Sequence, residues 1–544
     1  MRRWNGWGDD TIQYPLSPCA LAFLRDVVGE AEPPQDASLT EVLASIPLSR
    51  LSDVPGRDLI RIDERERLRH ARGQSLPDWV ALRSGRIPAF PDGVAYPLSP
   101  DDVATLLEYA ARVDARVIPY GGGTSVVGHI NPEPGERPVL TVNMRRMNLL
   151  SRLDSISQLA TFGAGVAGPE LEAQLRARGF TLGHYPQSFE FSTLGGWVVT
   201  RSSGQQSLGY GRIENLFAGG TILAPAGEMR LPPFPASAAG PDLRQLVLGS
   251  EGRLGILTEA TVRVLPLPEH EEFHAIFFPG FIDGTTAVRR LVQARLPLSL
   301  LRLSTPTETR TTLALAGHEK LIGLLETMLG VRGVSEGKCM MLCGFTGQSK
   351  TVRDARHATL EIAKEHGGVS AGRRFGEQWI EGRFRTPYLR NTLWELGYAV
   401  DTLETATTWE GVPRMVETIE DSLSSALPQG ERVHVFTHLS HVYPQGASVY
   451  STYLFRIAAD PDETLRRWEL LKGTTSRAIV AAGGTISHQH GVGRDHAPYL
   501  QTEKSEIGLV ALGHAIAAFD PDERMNPGVL LSRRECGETN NDNR

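Results

Sequence analysis

An α+β fold is predicted for this chain, with a cofactor-binding domain followed by a second domain that covers it. Three observations carry the expectation. Helix and strand signals alternate between residues 86 and 268, glycine-rich stretches interrupt them at several points, and from 269 to 480 glycines give way to longer helical and strand segments. At 544 residues the chain is too long for one hydrophobic core, and about three structural units is the soft expectation. The textures divide it into an N-terminal helical segment (1–85), a cofactor domain (86–268), a cap or substrate domain (269–480) and a C-terminal segment (481–544) that returns to the cofactor.

In chain order, residues 1–10 contain no apolar run and do not read as a secretory signal. The charged stretch from Arg57 to Arg72 reads as a solvated face. Ser99-Pro100-Asp101-Asp102 predicts a helix start, with a capping serine, proline at the first helical position and acids in the first turn. Val103, Leu106, Leu107, Ala110 and Val113 then form one apolar stripe at helical spacing. A short β-branched run at Val117-Ile118 ends at Pro119 and opens into Tyr120-Gly121-Gly122-Gly123-Thr124-Ser125. Successive glycines leave no Cβ between backbone amides and a ligand, and two hydroxyls follow, so the loop reads as a cradle of N–H dipoles for a pyrophosphate. It is no Walker loop, because no Gly-Lys-Ser/Thr closes it.

Further strands are expected at 139–144 and 158–162, and Pro169 starts a helix carrying Leu171 and Leu175. Gly163, Gly165 and Gly168 match the dinucleotide fingerprint, with Glu190 roughly twenty residues on. That reading is rejected: Pro169 stands where the fingerprint has an interior helical residue, and proline fits the first helical position instead. Two more blocks are crowded with small and hydroxylic residues, 183–216 and 248–258, and suit backbone laid against one extended ligand. Residues 433–453 read as sheet structure crowded with polar side chains at Thr437, His438, Ser440, His441 and Tyr443. Gly483 to Gly493 repeats the cradle texture, Ala511 to Phe519 reads as a helix, and the polar tail after 533 is expected to be disordered.

Bulk properties narrow the class. A net charge of −7, with no basic surplus in any domain, argues against nucleic acid as a partner. The four cysteines (Cys19, Cys339, Cys343, Cys536) lack zinc-site spacing, and Cys339 and Cys343 fall in a buried strand, so reduced thiols in a cytoplasmic protein are expected and no metal is. No run of about 18 apolar residues suggests a membrane span, although peripheral contact with a membrane surface stays open.

Together these blocks resemble the FAD-binding family typified by vanillyl-alcohol oxidase and para-cresol methylhydroxylase, and within it the alkyl-dihydroxyacetone-phosphate synthase branch. The matching motifs are Trp4-Asn-Gly-Trp-Gly8, Gly121 to Ser125, Glu190 to Trp197, Gly249 to Gly255 and Gly484 to Gly493, in that order over nearly the whole chain. The resemblance implies a two-lobed FAD-binding domain of the para-cresol methylhydroxylase type, an α+β cap over the isoalloxazine, and a homodimer. By the same analogy the flavin contacts fall on Pro119, Tyr120, Gly121, Gly122, Gly123, Thr124, Ser125 and Val126; on Gln187, Ser188, Phe189, Glu190, Phe191, Ser192 and Thr193; on Thr200, Arg201, Ser202 and Ser203; and on Glu251, Gly252, Arg253, Leu254, Gly255, Ile256 and Leu257. Some relatives hold flavin covalently through a histidine just after the first loop's paired glycines. Thr124 stands there in this sequence, so non-covalent FAD is expected.

The chemistry this resemblance implies is redox-neutral. The acyl group of an acyl-dihydroxyacetone phosphate leaves, a fatty alcohol replaces it, and flavin N5 holds the carbon between the two events. Such a small-molecule, lipid-like substrate needs an acid–base group, a cation for phosphate and an apolar tunnel. Tyr450 resembles the family's proton-shuttling tyrosine, and a phenol near pKa 10 needs a cation or histidine beside it to act as a base. Arg390 resembles an active-site arginine, His184 keeps its place in Gly-His-x-Pro, and His488 and His490 flank Gln489 where the family has three consecutive histidines. Gln187 also replaces an aspartate. Two other readings stay open on the residues alone. One is a D-2-hydroxy-acid dehydrogenase or oxidase of the same fold, whose metal-site runs are absent here; the other is a flavoprotein without activity.

Overall fold

The computed structural model describes residues 2–56, 58–315 and 319–531; Arg57, Cys536 and the polar tail after 533 lie outside the described residues. Three sheets and one small ribbon organise the chain. The first sheet holds Ile60–Arg61, Gly93–Ala95, Val139–Asn143 and Arg116–Tyr120 in that order, with the last three strands parallel. Parallel neighbours need a crossover, and the helix Pro100–Arg112 provides one. Its start is a reciprocal capping box between Ser99 and Asp102. Val103, Leu106 and Ala110 are buried against Leu140 and Val142, while Leu107 and Val113 sit half-buried at the edge of the stripe.

The second sheet is antiparallel: Leu150–Asp154, Leu159–Gly163, Ile256–Arg263, Phe217–Ala224 and Gly227–Leu231. The rejected dinucleotide fingerprint falls here. Leu159–Gly163 runs antiparallel to both of its neighbours, so no parallel β-α-β unit surrounds Gly163 and Gly168. The following helix spans Gly168–Arg176 with its proline in the first turn. Phe162, Leu171, Leu175, Trp197 and Phe217 form the core beneath this sheet.

The largest sheet has seven antiparallel strands: Val369–Gly372, His270–Phe278, Cys339–Gly347, Leu300–Ser304, His434–Tyr443, Gly446–Arg456 and Tyr398–Thr408. Side chains on a strand alternate between faces. Cys339, Met341, Cys343 and Phe345 therefore join the core under the helices Phe281–Gln293 and Ser349–Glu365, while Met340 and Leu342 enter a separate cluster on the opposite face. The same alternation puts Leu439, Val449 and Leu403 into the helix-side core and turns His438, Tyr450 and Thr402 toward a cavity.

Burial pushes the thiols of Cys339 and Cys343 up to about 12, so both stay protonated at pH 8. Alkylation of the native protein is expected to mark exposed Cys19 and spare both strand cysteines until denaturant is added. Peptide mass mapping reads this directly, and rapid native labelling of Cys343 would contradict the packing.

The N-terminal 85 residues do contain helices (Pro18–Val28, Leu39–Ala44, Glu64–Arg69 and Leu76–Ser84), but their side chains are distributed over several cores. Leu24 and Val28 pack with Tyr398 and Leu454, Ile60 joins the first sheet, and Leu76 and Trp79 enter the core of the large sheet. The expected solvated face at 57–72 holds for the exposed residues 61–65 but needs correcting from Arg67 on. Arg67 is 2% exposed, donating to the carbonyls of Pro91 (2.6 Å) and Pro47 (2.7 Å), and Arg72 donates to that of Pro132 (3.0 Å). Near the end of the chain the helix Leu500–Phe519 is interrupted at Ser505, and Met525 bridges back to Val117. No helix among the described residues is long and apolar enough to cross a membrane.

Candidate active site

One cavity of about 510 Å³ lies between the first two sheets and the large one. Residues 119–126 line it continuously, as do Gln187, Ser188, Ser192, Thr193, Thr200, Ser202 and Ser203. The loop after Arg116–Tyr120 must approach the turn at 188–193 closely. A Cβ on Gly122 would sit 2.0 Å from the Phe191 carbonyl oxygen, so only glycine fits. Thr193 faces the same loop and caps the helix Leu194–Thr200 through Gly196 N–H (3.3 Å). Ser125 Oγ is buried without a hydrogen-bond partner beside these backbone dipoles. This lining fits the phosphates and flat ring system of FAD.

A third contributor is the turn at 251–257. Glu251 holds φ at +49° with its carboxylate buried, accepting the N–H groups of Val492 (2.5 Å) and Gly493 (2.7 Å). Burial raises its pKa to about 7 against those two hydrogen bonds. Asn526 completes the join by donating to the carbonyls of Glu251 (2.9 Å) and His129 (2.8 Å). The C-terminal segment is thereby fastened to the cofactor lobe, which brings Gln489 and His490 into the cavity wall.

The opposite wall is the inward face of the large sheet. Strand register places Glu404 beside Tyr450, Tyr450 beside His438 and His438 beside Ser304, one row across four strands. His438 stacks on Tyr450 at 5.0 Å and 22°, and His490 meets the phenol ring edge-on at 5.7 Å. Burial, and beyond it the Glu404 charge, raise the Tyr450 phenol above its ordinary pKa despite a hydrogen bond with Thr402. The phenol is therefore a proton donor at neutral pH until a ligand changes its surroundings.

Behind His438, Glu308 Oε2 lies 2.8 Å from Nδ1 and Arg302 pairs with Oε1 at 2.5 Å. Burial opposes ionisation of Glu308, but His438 and Arg302 outweigh it and hold the pKa at about 2. Burial and Arg302 push His438 below its usual range. A neutral ring giving its Nδ1 proton to Glu308 leaves Nε2 as an acceptor.

Glu404 is the hub of the C-terminal loop. It accepts from the N–H groups of Gln489 (2.6 Å) and His490 (2.7 Å) and from the Ser487 hydroxyl (3.1 Å). His490 Nδ1 lies 3.6 Å and His488 Nδ1 3.7 Å from its oxygens. Burial alone would raise its pKa, yet the histidines and hydrogen bonds hold it well below the carboxylate range. Arg390, on the helix Thr386–Glu395, also lines the cavity. It stacks over Trp79 at 4.4 Å and donates Nη1 to the Gln74 carbonyl, while Nε and Nη2 are buried without partners. Burial lowers its pKa to about 10, which leaves it charged at neutral pH.

The cavity wall includes Pro119 to Val126, Gln187, Ser188, Ser192, Thr193, Thr200, Ser202, Ser203, Glu251, Gly252, Gly255, Ile256, Leu257, Arg390, Tyr450 and His490. Eight other expected residues stand outside it. Phe189 stacks between Phe384 and Trp197, Phe191 packs on Trp7, and Glu190 hydrogen-bonds Tyr388. Arg201 donates to the Leu248 carbonyl (3.1 Å), Arg253 to that of Met525 (2.6 Å), and Leu254 enters a C-terminal core. His184 is buried 3.2 Å from Ser202 Oγ, and burial lowers its pKa to about 3. His488 Nε2 is engaged by Arg212 (2.5 Å) and the Tyr443 hydroxyl (2.6 Å). These side chains brace the wall from behind. Arg302, Glu308, Thr402 and Glu404 were not legible as site residues; the available signal was charged and polar residues inside the strands Leu300–Ser304 and Tyr398–Thr408, while Glu308, on the helix Pro306–Leu315, carried none.

Residues 91–231 match the FAD binding domain family and residues 267–530 match the C-terminal domain of FAD-linked oxidases. The p-cresol methylhydroxylase structure with bound substrate shares the fold at a TM-score of 0.67 and 12% identity, over 92% of this chain and 99% of that one. Fold and matched domains define a FAD-dependent enzyme of the FAD-linked oxidase class. Alkyldihydroxyacetonephosphate synthase of Dictyostelium discoideum is 30% identical over 571 residues, 97% of this chain and 93% of the relative. A solved alkyldihydroxyacetonephosphate synthase superposes with a TM-score of 0.82 at 26% identity, covering 97% and 98% of the two chains. The chain belongs to the alkyldihydroxyacetonephosphate synthase family.

Proposed function

We propose that the protein exchanges the acyl group of acyl-dihydroxyacetone phosphate for a fatty alcohol, with FAD bound non-covalently. The observation that carries the reading is a group of apolar side chains in the lining of the same cavity, Phe23, Leu24, Leu393, Val400, Phe436 and Leu454, most of them packed in one cluster. A small hydroxy acid has no use for such a lining, whereas burying an alkyl chain there gains about 0.8 kcal/mol per methylene. When bound, FAD supplies a ring nitrogen able to hold the substrate carbon between departure of the acylate and arrival of the alcohol.

The chain's own residues would do the rest. The charged Arg390 meets the substrate phosphate. Tyr450, protonated in the free site, exchanges a proton with the substrate once phosphate and Arg390 alter its field. His490, set by Glu404, stands at its edge, and His438 with Glu308 behind it offers Nε2 as acceptor. Gln489, a neutral amide between His488 and His490, leaves the loop without a third imidazole, so acid–base work falls on Tyr450, His438 and His490. FAD cannot be tethered through Thr124, whose hydroxyl replaces an imidazole.

Anaerobic mixing with acyl-dihydroxyacetone phosphate is expected to perturb the flavin band without lasting loss of colour, and labelled fatty alcohol should appear in the product with no electron acceptor present. D-2-hydroxy acids are expected to leave the band unchanged. Bleaching by a hydroxy acid, with no exchange, would replace this reading with the oxidoreductase one.

A further inference from the structure

The motif Trp4-Asn-Gly-Trp-Gly8 has an architecture that none of the roles above uses. Residues 2–8 form a strap lying across the helix Thr386–Glu395. Trp7 exchanges two backbone hydrogen bonds with the Asn391 side chain, N–H to Oδ1 at 3.1 Å and Nδ2 to the carbonyl at 3.0 Å. The two glycines make this contact possible. A Cβ on Gly6 would stand 2.4 Å from Asn391 Oδ1, and one on Gly8, where φ is +77°, would stand 2.2 Å from the Tyr388 ring. Arg83 anchors the strap through the Asn5 carbonyl (2.6 Å), and Arg2 donates to the Gly122 carbonyl in the pyrophosphate loop.

That seating puts the Trp7 ring into the cavity wall, 93% buried and edge-on to Phe191 at 5.6 Å. Five other indole N–H groups donate to protein acceptors: Trp79 to Gln74, Trp197 to Ser192, Trp394 to Asp36, Trp409 to Tyr443 and Trp468 to Asp401. Trp7 Nε1–H is buried with no acceptor. Arg390 lines the same cavity, and its Nε and Nη2 are likewise buried and unpaired. Donors shut away from water without acceptors are costly, and the cost is removed when a ligand brings an oxygen. The two carboxylates in the cavity lining are already engaged, Asp401 by Trp468 (2.6 Å) and Tyr453 (3.3 Å) and Glu251 by the Val492 and Gly493 N–H groups.

We propose that the strap is part of the ligand site, with Trp7 Nε1–H and the free Nε and Nη2 donors of Arg390 together receiving a phosphoryl oxygen. The phosphate comes from the FAD pyrophosphate or from a phosphorylated substrate; only the second source rests on the function proposed above. Trp7→Phe keeps the aromatic contact with Phe191 and removes only the donor.

The test uses the full-length protein and measures FAD affinity by fluorescence titration and glycerol 3-phosphate affinity by calorimetry on the FAD-loaded form, with glycerol as the phosphate-free control. Losing a hydrogen bond to a charged group is expected to weaken one of the two by about tenfold or more. A loss confined to glycerol 3-phosphate assigns the site to substrate, and a loss confined to FAD assigns it to the cofactor. Trp7→His, which restores a ring N–H, is expected to recover most of the lost affinity, a rescue that a purely packing role would not give. Thermal melting separates loss of fold from loss of the donor. Unchanged affinity for both ligands in Trp7→Phe overturns the proposal. If wild-type protein binds glycerol 3-phosphate normally in that case, the functional reading survives; if it binds none, that reading falls as well.

Discussion

Replacing Tyr450 with phenylalanine is expected to leave FAD content unchanged and to lower turnover by at least about a hundredfold, the low end for losing an acid–base group. The ring stacks on His438 and meets His490 edge-on, and phenylalanine keeps both contacts, so the fold should tolerate the change. The lost hydroxyl is the one whose pKa burial and Glu404 drive upward, making it a proton donor in the resting site. Steady-state rates of alcohol incorporation and the flavin spectrum of the variant check the claim together. Wild-type rates would remove Tyr450 from the chemistry and transfer the proton work to His438 and His490.

Glu404→Ala is expected to be the most damaging substitution to the fold around the site, costing about 3–5 kcal/mol as the removal of one partner from a buried charged network does. The N–H groups of Gln489 and His490 lose their acceptor, and both neighbouring imidazole rings lose the carboxylate beside them. The loop should leave the cavity and take activity with it, and urea denaturation with limited proteolysis near 487–490 reads both effects. The carboxylate also carries a pH signature. Its pKa is depressed in the folded state, so its stabilisation is present above the ordinary value of 4.5 and is lost as pH falls through the folded value. The stability difference between wild type and Glu404→Ala should accordingly shrink in acid below about pH 4.5. A constant difference across that range would show that Glu404 is not ionised in the fold.

Several features were readable directly from local sequence. The capping box at Ser99 and Asp102, the helix stripe behind it and the rejection of the Gly163–Gly168 fingerprint all rested on interactions within a few residues, and each stands in the structure. The cradle at Gly121 to Ser125 was legible as a ligand loop, although the reason for glycine at 122 is tight packing on Phe191 as much as access to a ligand. Charge patterning misled at Arg67 and Arg72, because a sequence cannot show which long side chains will find backbone carbonyls to satisfy them inside.

Family likeness and local periodicity named Tyr450, His490 and Arg390, but they gave no hint of how those residues are held. Arg302, Glu308, Thr402, Glu404 and Trp7 come from three separate stretches that gather at one cavity only because seven strands pair in a particular register and the N-terminal strap docks on a helix some 380 residues away. By itself, then, the amino-acid order determined the α+β class, the glycine-built loop that lines the cavity and the family, since these depend on backbone conformations and motifs set within short windows. Tertiary structure alone decided which buried carboxylate orients which imidazole, and which donors are left facing the cavity, because hydrogen-bond partners in the interior are chosen by long-range packing and not by neighbours in the chain.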